Sequence, residues 1–315
     1  MSEGATIAGR MPWASRAVAA VEATKLRSVV LLSFVGLAAG LHFLSEVPLS
    51  GTMPGSVPGV ERFAACWRLL LGTLAVFTGS MGTNAITGYV DRRMDAIMSR
   101  TRHRPVPTGR LAPRQSLALG LALVVVAIGC TLLTGHLWST FWLFFGVTDV
   151  ALIYNGWSKP RTPWNVVLGS PGGGAPVMVV ASAVTGQAAD FTALLLAALV
   201  VAWTPIHVWS LAIRHVDDYR RAQVPMLPVT IGVEKAARCV GWSALGLCAL
   251  ASALPGVVHL GRAGTVLLAG LQVPVLVTSV LVMLAPTGDR AWLLFKLSSP
   301  YLAVLFLLVA LPALT

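Results

Sequence analysis

The chain has 315 residues, of which 56% are hydrophobic and 11% charged, and its mean hydropathy is +0.77. An average soluble domain carries about 25% charged residues, so this composition excludes an ordinary cytosolic enzyme, a disordered chain and a nucleic-acid-binding module. The net charge of +11 then becomes a question of which side of a membrane holds the positive residues.

The first 26 residues are polar and include Arg10, Arg16 and Lys25. They contain no short apolar core followed by a cleavage site, so they read as a retained cytoplasmic segment and not as a signal peptide. From residue 27 onward, apolar stretches of about 20 residues predict membrane helices. They fall at 27–45, 64–86, 115–134, 137–157, 165–185, 192–213, 237–258, 264–285 and 291–313. The expected fold is therefore all-α, a single domain over 27–315 with nine transmembrane helices in the lipid bilayer. Of the 23 Lys and Arg residues, only Arg62, Arg68 and Arg262 fall outside the N-terminal segment and the loops after helices 2, 4, 6 and 8. The positive-inside rule then puts those loops in the cytoplasm, and the C-terminus on the other side. In a single-membrane cell this is the plasma membrane. Cys66, Cys130, Cys239 and Cys248 lie in apolar stretches without a Cys-x-x-Cys pairing and read as small core residues.

The acids are unevenly distributed. Asp91 and Asp95 lie where helix 2 leaves the membrane, and Asp217 and Asp218 where helix 6 leaves it, both on the positive side. A continuing helix would put Asp91 and Asp95 on one face, with Asn84 and Thr87 beneath them on the same face. Oxygen-only ligands suit a hard cation such as Mg2+, which is usually held by one or two carboxylates together with substrate phosphates. The arginines that follow each acidic pair suit phosphate. Together these features describe a magnesium–diphosphate site on the cytoplasmic face, backed by apolar helices that could take a lipid tail.

Three stretches carry a family resemblance. The first is Thr87 to Leu111, TGYVDRRMDAIMSRTRHRPVPTGRL; the second is Tyr154 to Pro176, YNGWSKPRTPWNVVLGSPGGGAP; the third is Trp203 to Pro228, WTPIHVWSLAIRHVDDYRRAQVPMLP. In this order they resemble the motifs of the UbiA superfamily of intramembrane prenyltransferases, and most closely its heme O synthase branch. The likeness runs from about residue 25 to 235. Departures stand at Thr87, where the superfamily has Asn, at Arg93, where the branch usually has a third acid, and at Val216, where it has a basic residue.

The resemblance implies nine helices around a central cavity and a set of roles. Asp91, Asp95 and Asp217 would hold Mg2+, with Asp218 a further ligand or an orienting residue. Arg100, Arg104, Lys159 and Arg161 would neutralise charge on the leaving diphosphate, and Tyr219 would orient it. Asn84, Thr87, Tyr154 and His207 would line the substrate region, with His207 an iron ligand if the acceptor is heme. Pro105 and Pro107, like Pro225 and Pro228, would end helices and fold each loop back as a lid. Gly172, Gly173 and Gly174, inside an apolar helix, read as close helix packing or room for an acceptor.

The expected reaction is Mg2+-dependent transfer of an isoprenyl group, farnesyl first among donors, from its diphosphate to an acceptor, with protoheme IX leading. The competing enzyme readings are an aromatic-acceptor prenyltransferase and a terpene cyclase. A transporter is the reading from a different class, but it calls for ionisable residues near the bilayer midplane, whereas these acids gather at one face.

Overall fold

The computed structural model describes residues 12–47 and 60–314, with side chains to residue 311; Arg10 lies outside them. A short helix α1 (Trp13–Ala23) precedes α2 (Leu26–Ser45), α3 (Val60–Val90), a single-turn α4 (Arg92–Ile97) and α5 (Pro113–Leu133). Next come α6 (Leu137–Thr148), which runs on as a π-helix over Asp149–Ser158, then α7 (Asn165–Thr185), α8 (Phe191–Arg214), and two short helices, α9 (Val216–Arg221) and α10 (Leu227–Thr230). The chain finishes with α11 (Val233–Ala251), α12 (Leu254–Val257), α13 (Arg262–Leu284) and α14 (Gly288–Leu314).

Among the described residues, nine helices are long and apolar enough to cross a membrane, and each of the nine expected stretches is met by one, with ends shifted by no more than about one turn. Their composition leaves little alternative. Backbone groups in hydrocarbon must be paired within the segment, which a helix achieves unaided. Many of the large apolar side chains face outward, including Leu121, Val125, Leu133, Val266 and Leu284, as lipid-facing positions do. Helix ends follow local chemistry: Pro113 opens α5 at a position whose N–H has no intrahelical partner, and Gly186 closes α7 at φ 74°.

The innermost helix is α7, which packs on α2, α3, α6 and α8, while α14 closes against α2 and α8. Gly174 makes one of these approaches possible: a β-carbon there would meet the Ala197 carbonyl at 2.9 Å. Close packing is thus one of the uses of the triple-glycine stretch. Proline at 171 and 176 is tolerated inside α7, where neighbouring groups can take over freed backbone sites.

Two local features differ from expectation. The segment before residue 27 was expected only as a polar tail, yet it carries α1, whose Ala19 and Ala23 pack on Val106 and Leu111 of the loop between α4 and α5. Glu22 also pairs with Arg110 of that loop at 2.7 Å. The helix is short and its buried face is built of alanine, so no apolar run betrays it. Second, Asp91 and Asp95 do not lie on one continuing helix. The helix breaks at Asp91 (φ −79°, ψ −1°), although a bond from the Asp95 N–H to the Asp91 carbonyl (2.8 Å) keeps the one-turn spacing.

Candidate active site

Four elements meet where α3 ends. Asp91 and Asp95 are 4% and 3% exposed, deep burial for carboxylates, which are rarely enclosed unless paired. Each has a cation. Lys159 Nζ donates to Asp91 Oδ2 at 2.7 Å, and Arg104 Nη1 donates to both oxygens of Asp95 at 3.1 and 2.9 Å. The π-helical stretch places Lys159: its N–H bonds the Tyr154 carbonyl five residues back at 2.8 Å. Its ammonium reaches Asn155 Oδ1 at 3.1 Å and lies 5.7 Å from the centre of the Tyr154 ring. Such wide turns often mark functional sites. Tyr219 is buried and close enough to act on the Lys159 charge. Burial pushes the Lys159 ammonium toward neutrality, but Asp91 beside it outweighs this and holds its pKa above the ordinary lysine value.

A third cation, not among the expected site residues, joins from the start of the first membrane helix. Lys25, at the α1–α2 junction, adopts a left-handed backbone (φ 53°, ψ 52°), uncommon for a residue other than glycine and asparagine and a frequent companion of functional sites. Its ammonium donates to Thr87 Oγ1 at 3.1 Å, while that hydroxyl donates to the Asn84 carbonyl at 2.9 Å. The Asn84 amide in turn donates to the Thr24 carbonyl at 3.0 Å, so Asn84 and Thr87 together hold the strained junction. Burial, reinforced by Arg104, lowers the Lys25 pKa to about 8; Asp91 and Asp95 pull the other way.

The second acidic pair divides its labour. Asp218 is 4% exposed and takes hydrogen bonds from Ser99 Oγ (2.8 and 2.7 Å), Ser99 N (3.3 Å) and Arg100 N (3.2 Å), and it pairs with Arg221. It therefore ties the loop after α4 to α9. Burial alone would push its carboxyl up, but the bonds from Ser99, Arg100 and Arg221 hold it below the usual carboxylate range. Asp217 points outward, with its side chain 74% exposed and paired to Arg220 at 2.6 Å. The cause is the break at His215, after which α9 starts anew and turns Asp218 and Tyr219 inward. Arg161 also stays outside the cluster, donating to the Gly156 and Trp157 carbonyls at the end of the π-helix. Arg100 lies near enough to act electrostatically on Tyr154, and its Nε is buried without a partner.

Beneath the charged face lies an apolar cavity of about 160 Å³ between α2, α3, α6 and α7. It reaches from Asn84 down α3 to Val76, past Gly79 and Thr83, with Leu143, Gly146, Gly172 and Val179 opposite. At 1.5 Å per residue, the Asn84–Val76 wall is about 12 Å long. Gly172 is needed there because a β-carbon would meet Asp149 Oδ2 at 2.6 Å. Asp149, a buried acid the sequence reading passed over, accepts the Gly172 N–H at 2.8 Å. His207 does not line this cavity. It faces α14, with Nδ1 2.7 Å from Ser298 Oγ.

No group of three or more His, Cys, Asp or Glu residues among the described ones could enclose a metal unaided. The donor set nonetheless fits a magnesium ion shared with a diphosphate. Asp91 Oδ1 is buried and has no hydrogen-bond partner, the ligands on offer are all oxygens, and Mg2+ typically takes one or two carboxylates and fills its remaining sites from substrate and water.

The model of the UbiA prenyltransferase family matches residues 48–311. A protoheme IX farnesyltransferase from Desulforudis audaxviator is 40% identical over 296 residues, covering 92% of this chain and 87% of its own. Among solved structures, a digeranylgeranylglyceryl phosphate synthase superposes with a TM-score of 0.71 at 15% identity, covering 95% of this chain and 98% of its own. A UbiA homologue from Archaeoglobus fulgidus, bound to GPP and Mg2+, gives 0.57 at 12% identity, covering 91% and 99%. At those identities the two structures share the fold with this chain.

Proposed function

The chain belongs to the UbiA prenyltransferase family, and on that premise we propose that it transfers a farnesyl group from farnesyl diphosphate to protoheme IX. The observation that carries the chemistry is the buried cluster of Asp91, Asp95, Lys159, Arg104 and Lys25, three cations around two carboxylates, with an apolar cavity that begins two turns deeper along α3 at Asn84. The acceptor is supported by the 40% identity to a protoheme IX farnesyltransferase.

Asp91 and Asp95 hold Mg2+, which supplies positive charge against the departing diphosphate. The chain does the rest. Lys159, Arg104 and Lys25 turn their donors from carboxylate and hydroxyl toward diphosphate oxygens, and Arg100 has an unused buried Nε to add. These contacts strengthen as charge grows on the leaving oxygen, so they favour the transition state over the bound substrate. Tyr154 and Tyr219 wall the site on the Lys159 side and orient the diphosphate. Asp218 acts by orienting, since its clamp on Ser99 and Arg100 fixes the loop that carries Arg104. We take Asp217 and Arg161 as rim residues. The cavity from Asn84 to Val76 takes the prenyl chain, and the loop over residues 98–112, weighted by α1, keeps bulk water from the allylic cation. One water must still reach the acceptor side, because addition to a vinyl group ends in a hydroxyalkyl product.

The same reading makes residues 27–315 one catalytic domain, puts the charged face in the cytoplasm and the C-terminus outside, and takes the plasma membrane as its site. The test is product analysis. Purified protein in detergent, given Mg2+, donors of several chain lengths, and either heme or candidate phenols, should yield farnesylated heme by mass spectrometry. Prenylated phenol with untouched heme would move the protein to the aromatic-acceptor reading.

A further inference from the structure

The apolar cavity ends against packed side chains. Below it α3 and α7 touch: a β-carbon at Gly72 would meet the Ala183 β-carbon at 2.9 Å and Val180 Cα at 3.4 Å, so the two helices close against each other at that level. One turn nearer the charged face, Val76 of α3 and Val179 of α7 line the cavity, with Leu143 of α6 beside them. All three are buried, and two contacts hold them. A β-carbon at Gly79 would meet Leu143 Cδ1 at 2.8 Å, so the tip of Leu143 rests on the α3 backbone. Ser139 Oγ donates to the Val179 carbonyl at 2.9 Å, which pins α6 to α7 one turn beneath Leu143.

The depth of this stop can be compared with a prenyl chain. The helix α3 is continuous over Val60–Val90, and Lys25 touches it at Thr87. A diphosphate held by Lys25 and Asp91 has its first carbon near the Thr87 level. From there the helix advances about 16 Å to Val76, at 1.5 Å per residue. An extended carbon chain gains roughly 1.2 Å per bond, as the peptide backbone does, so an isoprenyl unit of four main-chain bonds gains about 5 Å. Three units need about 15 Å and reach the stop, whereas two fall about one helical turn short and four overrun it by about 4 Å.

We propose that Val76, Leu143 and Val179, backed by the α3–α7 contact at Gly72, determine donor chain length and select the three-unit diphosphate. The proposal rests on the prenyl-transfer reading above and adds to it which side chains choose among donors. A longer chain has to displace packed side chains, and a shorter one leaves apolar surface unfilled, so both are penalised.

The test is isothermal titration of the full-length protein in detergent, with Mg2+, against non-hydrolysable thiolodiphosphate analogues of the geranyl, farnesyl and geranylgeranyl donors. Wild type is expected to bind the farnesyl analogue at least ~10-fold more tightly than either neighbour, since even one misfit methylene in an apolar pocket gives discrimination of that order. V76A/L143A removes two carbons and three carbons, together the content of one isoprenyl unit. Its preference is expected to move to the geranylgeranyl analogue, which should also raise the variant's unfolding temperature by filling the space left behind. Ser80 lines the cavity one turn above Val76, about 10 Å from the Thr87 level, so S80L is expected to prefer the geranyl analogue. The two variants push in opposite directions, and a folding failure of one leaves the other to decide. Wild-type preference retained by a folded variant, or wild type that binds all three analogues alike, would overturn this inference and leave prenyl transfer standing. If wild type bound none of the analogues, both would fall. Shifted donor preference together with a prenylated phenol and untouched heme would support the inference and remove only the acceptor reading.

Discussion

The ammonium of Lys25 donates to the hydroxyl of Thr87 across 3.1 Å, joining the strained start of α2 to the last turn of α3. This contact fills the place where the superfamily's asparagine would stand, and it brings a third cation to the two carboxylates. A bound diphosphate favours the charged lysine. Because the Lys25 pKa is lowered to about 8 from 10.5, the ammonium is present below pH 8 and is lost above it. In the free protein, the lowered value adds stability as pH rises from about 8 to 10.5, since the unfolded chain binds the proton more tightly there. Diphosphate binding has the opposite dependence. The Kd for a non-hydrolysable farnesyl diphosphate analogue should rise by up to about tenfold per pH unit above 8 in wild type, and should be nearly flat in K25M. Isothermal titration at pH 7, 8 and 9 checks both slopes; equal slopes would remove Lys25 from the site.

Asp91 is held by Lys159 through one oxygen while the other is unpaired and buried. The D91N variant should lose at least ~100-fold in turnover, as expected when charge worth several kcal/mol at the leaving group is no longer held. Full activity in EDTA would contradict the mechanism. Removing the cation instead, in K159M, leaves Asp91 as an uncompensated buried charge, which typically costs about 3–5 kcal/mol. K159M should therefore lower the unfolding temperature as well as activity, and D91N, which strands the buried Lys159 ammonium in the same way, should lower both too, so that the EDTA result is what separates loss of the metal from loss of the ion pair.

The second acidic pair offers a sharper comparison. Asp218 accepts four hydrogen bonds from Ser99 and Arg100, whereas Asp217 is exposed and touches Arg220. D218A should reduce turnover at least ~10-fold, since it frees the loop that positions Arg104 and strands donors that were paired. D217A should stay within about twofold, the small effect of an exposed ion pair. Steady-state assays of the two variants decide it, and a larger loss in D217A would return that residue to the metal.

Much of this was legible from the chain because membrane helices announce themselves by length and composition. The nine spans needed only apolar runs, and the acids needed only their position at helix exits. What stayed hidden depends on tertiary contact. Lys25 looks like one more basic residue before a span until the left-handed turn at its backbone carries it to Thr87. Which of two adjacent aspartates faces inward depends on the break at His215, and no periodicity reports that. Asp149 carries no motif; its role emerges only where Gly172 leaves room for it. His207 was read as a neighbour of the prenyl site, but it does not line the cavity, because the α8 face that bears it meets Phe295 and Ser298 of α14.

The orientation of the charged face can be tested without a functional assay. Gln187 lies exposed between α7 and α8, and Gln223 lies exposed between α9 and α10, at opposite ends of α8. The positive residues gather at the Gln223 end, and α1 lies at that end too, presenting Trp13, Val18 and Val21 outward as an interfacial helix presents its apolar face to a membrane surface. In a background lacking Cys66, which is exposed, an impermeant thiol reagent applied to intact cells should label Q187C and leave Q223C unlabelled until the cells are opened. The reverse pattern would place the diphosphate site outside, where the positive-inside rule gives no reason for so many arginines, and would invert the proposed orientation.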